Sequence, residues 1–170
     1  DITALTLDMS DNGAAIFLDD VTVGDNLRLL SDSSIITFGA DQEIRLTHNH
    51  NYGLSLKRTA TGDDNPIILT IQTGETDIAA DDVIGAINFQ APDESTGTDA
   101  ILVSAGIEAV SEGDFSSSNN ATKLSFKTAA SETATEKMSL SSAGLLTIAD
   151  DFVIKDGGTI GTATTPGAIT

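Results

Sequence analysis

Between Ile35 and Leu56 the chain reads IITFG, EIRLTHNH and GLSL, runs in which apolar side chains return at alternate positions and Gly, Asp or Asn close the pattern. Residues two apart share one face of a strand, so this period, punctuated by turn residues, argues for β-strands. The same rhythm returns in PIILTIQT, IGAINFQAP, TKLSFKTA and KMSLSSAGLLTI, and earlier in ITALTLDM, AAIFL, VTV and LRLLS. AILVSAGIEAV is read as a strand rather than a helix because Ser104, Gly106 and its β-branched residues disfavour helix. SEGDFSSSNNAT and APDESTGTD read as polar loops. The expectation is an all-β chain of short strands and tight turns.

Composition then limits the kind of core. Of 170 residues 39% are hydrophobic, but 4% are aromatic and Trp is absent. Large aromatics normally dominate a thick core; Ala, Ile, Leu and Val suit thin layers or a core shared between chains. The net charge of −18, from 26 acidic and 8 basic residues, repels phosphate backbones and anionic lipid. The expected partners therefore exclude nucleic acid and membrane insertion, and no stretch approaches the ~18 apolar residues of a membrane span. Without Cys there are no disulfides, thiol nucleophiles or thiolate metal sites. A start at Asp1 rather than Met reads as a fragment or a processed product.

The two ends resemble each other. MSDNGAAIFLDDVTVGD near the start aligns with LSSAGLLTIADDFVIKDG near the end, with Gly13 on Gly144 and Asp19-Asp20 on Asp150-Asp151. We read a recurring hairpin-like unit of the kind that stacks into arrays. The expected organisation is an N-terminal β-repeat module over 1–60, a central β fibre domain over 61–139, and a second copy of the repeat with a linker over 140–170.

The second half resembles segments of tail-fibre and appendage proteins of tailed bacteriophages, marine phage types included. The pattern is carried by Gly85, Ile87 and Phe89; Ala105, Ile107 and Ala109; Leu124, Phe126 and Thr128; and Met138, Leu140 and Gly144. The resemblance covers roughly residues 85 to 170 well and the first third loosely. It implies an elongated, intertwined homotrimeric fibre, β-prism- or β-helix-like. It also implies a structural and adhesive part of a virion that projects toward the host surface, without catalysis. The implied partners are the chain itself, adjoining fibre or baseplate proteins, and a host surface glycan or protein; the implied location is the virion or extracellular space. A bacterial surface fibre or adhesin is the alternative, and a glycan-cleaving tailspike module a more distant one.

Candidate sites are few. His48 and His50, the two histidines, stand two apart in a strand-like run, on the parity of Ile44 and Leu46. An inward apolar face would carry them inward too. In a parallel trimer six imidazoles would meet on the axis, enough for octahedral coordination of a transition metal, and the phage resemblance supplies a precedent in axial iron held by His-x-His pairs. The plainer expectation is a pair of exposed or hydrogen-bonded strand histidines, with no cofactor. Asp8, Ser10, Asn12, Gly13 and Asp19 match a relaxed calcium-loop spacing, but the repeat copy places Ser139, Ser141 and Ala143 where ligands belong. The paired aspartates at 63-64, 81-82 and elsewhere read as turn residues. Lys57-Arg58 reads as a solvated strand end.

Overall fold

The computed structural model describes residues 17–92, 97–158 and 160. Among these described residues it is β-rich with almost no helix: eight strands form two antiparallel sheets, beside one short 3-10 turn at Asp99–Ile101. The chain divides into two compact units, Asp1–Ile68 and Leu69–Thr170. The sequence had suggested divisions at 60/61 and 139/140; the second of these falls inside a strand of the second sheet.

The first unit holds β1 (Ile35–Phe38), β2 (Ile44–Asn49) and β3 (Gly53–Arg58) in that spatial order. Register follows the alternation: Ile36 opposes Leu46, Phe38 opposes Ile44, and Leu46 opposes Leu56. The β2–β3 hairpin closes through Tyr52 N–H donating to the Asn49 carbonyl at 2.9 Å, with Asn51 at φ 57 and Gly53 at φ 132. Asn and Gly are the residues that tolerate such angles.

The second unit holds β4 (Val83–Gln90), β5 (Val103–Ser111), β6 (Thr122–Thr128), β7 (Thr135–Leu140) and β8 (Leu146–Ile148), each paired with the next. AILVSAGIEAV is thus largely a strand, preceded by the 3-10 turn. Register shifts interrupt the β4–β5 ladder between Val83 and Gly85 and the β6–β7 ladder between Phe126 and Lys127. At each shift an extra residue re-aims the strand, so that Glu136 and Met138, two apart on β7, stand opposite Lys127 and Phe126 on different faces. Gly144, at φ 81, turns β7 into β8 and donates to the Ser141 carbonyl at 2.9 Å.

Two alternating stretches do not form strands. Residues 17–34, which contain VTV and LRLLS, are irregular, as is the PIILTIQT run over 66–73. Alternation records a preference for a pleated surface, but a strand also needs a neighbour for its N–H and C=O groups. The calcium-like spacing falls mostly within residues 1–16, outside the described residues, as does the first half of the N-terminal repeat copy.

Burial inverts the usual arrangement. Among the described residues the buried hydrophobics are Val110 and Ala134, and the buried polar residues are Ser111 and Ser125. Leu54, Phe38, Phe89 and Leu146 are more than half exposed in the single chain.

Candidate functional site

Three places merit scrutiny: the histidine hairpin, a charged cleft, and an open apolar sheet face.

In the hairpin, β2 carries Ile44, Leu46 and His48 on one face, and His48 stands opposite Leu54. The parity expected from sequence therefore holds as far as His48. The strand ends at Asn49, so His50 lies in the turn. Its Nδ1 is 3.2 Å from Asp32 Oδ1, with both side chains exposed. His48 is exposed as well. No group of three or more His, Cys, Asp or Glu poised to hold a metal occurs within the chain among the described residues. The Lys57-Arg58 end of β3 is not wholly solvated: Lys57 faces Arg45 across the sheet, and the Nε atoms of Arg45 and Arg58 are buried without a hydrogen-bond partner.

The aspartate pairs organise turns. Asp19 and Asp63 each accept from the next residue's N–H, at 2.9 and 3.1 Å. Asp82 accepts from Ala79 N–H at 2.7 Å. Ser111, fully buried, clasps the same turn: its hydroxyl accepts from Asp82 N–H at 3.0 Å and donates to the Ala79 carbonyl.

On β5 and β6, alternation sends Glu108, Val110, Lys123, Ser125 and Lys127 to one face. That face lines an open cleft of about 360 Å³, to which Asp81 and Ala134 also contribute. Lys127 Nζ is 2.7 Å from Glu108 Oε1, with the side chains 22% and 15% exposed, and Lys123 Nζ is 3.0 Å from Glu136 Oε2. Burial pushes the Glu136 carboxyl up, but hydrogen bonds from Lys123, Ser125 and Ser139, with the Lys123 charge, outweigh it and hold the group below its ordinary value. Each lysine is thus matched by a glutamate, and the cleft offers neither a free acid–base pair nor an unpaired cation. Sequence reasoning passed over this cluster, although its signal was present: Lys123, Ser125 and Lys127 alternate with Leu124 and Phe126.

On the opposite face two rows run apolar from edge to edge. Ile87, Ile107, Phe126, Met138 and Ile148 stand opposite one another in turn across all five strands. A second row runs Gly85, Ala109, Leu124, Leu140 and Leu146. Neither row contains a charge. Ile71 reaches onto this face beside Gly85, where a Cβ would meet its Cγ2 at 2.9 Å. An apolar hollow of about 170 Å³ remains, lined by Ile71, Ile107 and Leu124 among others. The chain's own turns border the charged face, while Ile87, Leu124 and Leu140 stay 42–48% exposed.

Comparison with protein-family models, with curated proteins and with solved structures gives no match.

Proposed function

We propose that the chain is a structural segment of a protein fibre, assembled as a homotrimer and free of catalysis. The observation that carries this reading is the pair of uncharged rows on one face of the β4–β8 sheet, where Ile87, Leu124 and Leu140 stay exposed. An apolar surface of this extent is unfavourable in water, and exposed patches of this kind mark interaction surfaces. A strongly acidic exterior keeps the assembled particle soluble.

The sequence pattern directs the reading toward the tail fibre or another appendage of a tailed phage. The chain would then act on the virion, outside the host cell, joined to fibre or baseplate proteins and extending toward a host glycan or protein. The compensated Lys–Glu pairs of the cleft favour this structural role over hydrolysis, which needs two carboxylates held at a set separation around a sugar.

Sedimentation velocity and mass photometry test the assembly: a trimer at micromolar concentration is expected, and a stable monomer sinks the reading. Antibody labelling of intact particles under the electron microscope tests the location, with label along a tail appendage as the expected result.

A further inference from the structure

We infer that Arg45 and Lys57, on one face of the first sheet, hold a single oxyanion: the carboxylate or sulfate group of an acidic sugar. The inference stands apart from the fibre reading.

Arg45 on β2 and Lys57 on β3 are directly opposed, so their side chains leave the same face. Thr37 on β1 continues their row, and Thr47 and Ser55 oppose each other in the next row of that face. Like charges directly opposite one another destabilise a sheet, and nothing offsets this pair. The ion pairs among the described residues belong to His50, Lys123 and Lys127, and none reaches Arg45 or Lys57. Glu43 stands just before β2, but its carboxylate lies against Gly39 with Oε2 buried and unpartnered. Strands β1–β3 contain three of the chain's eight Lys and Arg residues and no Asp or Glu. In a chain with 26 acidic residues, where both cleft lysines are matched by glutamates, two adjoining cations without a partner break the local charge balance. Departures of that kind concentrate at functional sites.

The residue types select the ligand. A guanidinium presents a planar fork that fits two oxygens of a carboxylate or sulfate, and an ammonium adds a point charge. Arg45 is half-buried with its Nε shielded, so its side chain is largely ordered before a ligand arrives, while Lys57 is exposed. The hydroxyls of Thr37, Thr47 and Ser55 on the same face suit the hydroxyls of a sugar ring. The net charge of −18 repels polyanions. An isolated oxyanion answers chiefly to the charges beside it, because salt screens beyond ~8 Å.

The chain has three arginines, Arg28, Arg45 and Arg58, and Arg58 opposes Ile44 on the other face, so arginine modification carries its own controls. Phenylglyoxal modification of the full chain is read peptide by peptide by mass spectrometry. Millimolar glucuronate is expected to slow modification of Arg45 at least about threefold, as two-thirds occupancy would, and to leave Arg28 and Arg58 unchanged. Glucose, and chloride at matched ionic strength, should give no protection. Lys57→Gln, at an exposed position, should remove most of the protection while the circular dichroism stays that of the parent. Inorganic sulfate separates the sources: protection by glucuronate at lower concentration than sulfate supports the sugar ligand, and sulfate acting equally well or better overturns it in favour of a free anion. The site itself is overturned by no protection of Arg45, equal protection of all three arginines, protection by chloride, or protection unaltered in Lys57→Gln. An Arg45 that reacts only after unfolding overturns it too, since its guanidinium is then closed to any ligand.

Discussion

Phe126 on β6 stands directly across from Ile107 on β5, at the middle of an apolar row of five residues that crosses the whole sheet. Cross-strand apolar pairs contribute roughly 0.2–1 kcal/mol each even when half exposed. Covering the row by another copy would add the transfer of its surface from water. Phe126→Ala is therefore expected to cost about 1 kcal/mol in dilute, dissociated chain and about 3 kcal/mol or more in the assembly. Thermal melting of parent and variant over a hundredfold range of concentration measures both. A midpoint independent of concentration contradicts the association.

The Lys127–Glu108 pair sits half-buried on the charged face, so losing one partner leaves the other poorly solvated. Glu108→Gln or Lys127→Met alone is expected to cost about 1–3 kcal/mol. The double variant should cost less than the two singles together. A double-mutant cycle by guanidinium unfolding gives the coupling directly, and additive losses would show that the pair is not coupled.

Acid should weaken the second unit. Hydrogen bonds from the Ser142 side chain and backbone N–H hold the Glu112 carboxyl below its ordinary value, and Glu136 is lowered as described above. A carboxyl lowered by folding contributes fully above its unfolded value and loses that contribution as pH falls through the folded one. The melting temperature should thus acquire a downward slope below about pH 4.5 that Glu136→Gln and Glu112→Gln each reduce. Relief of the overall negative charge acts in the opposite sense, so the difference between parent and variant carries the result.

Gly85 admits Ile71 onto the apolar face because it has no Cβ. Gly85→Ala should displace Ile71 and cost about 1–3 kcal/mol, as overpacking does. Adding Ile71→Ala should recover part of the loss. Equal loss with and without Ile71→Ala would mean that the contact is unimportant.

His50 is held in its turn beside Asp32 by an exposed contact. Such pairs contribute about 0–1 kcal/mol, so Asp32→Asn should change stability by no more than that. Chelator should leave the melting temperature unchanged. A drop of several degrees, with a transition metal found by elemental analysis, would instead establish the trimer-axis site at His48 and His50.

The all-β class was readable from alternation because a strand's side chains alternate by backbone geometry alone. IGAINFQ, TKLSFKT and GLSLKR each became a strand, and Gly144 its turn, through local preferences that need no distant partner. The parity that separates Leu124 and Phe126 from Lys123 and Lys127 was equally local. Which alternating runs would pair was not: VTV and PIILTIQT carry the same signal and remain irregular, since a ladder requires a second strand brought close by the rest of the chain. The end of β2 at Asn49, one residue before His50, was decided by hairpin closure at Gly53. The direction of burial was decided by tertiary structure too. Periodicity divides a strand into two faces, but turns such as 79–82, clasped by Ser111 and reaching the charged face through Asp81, determine which face the single chain shelters.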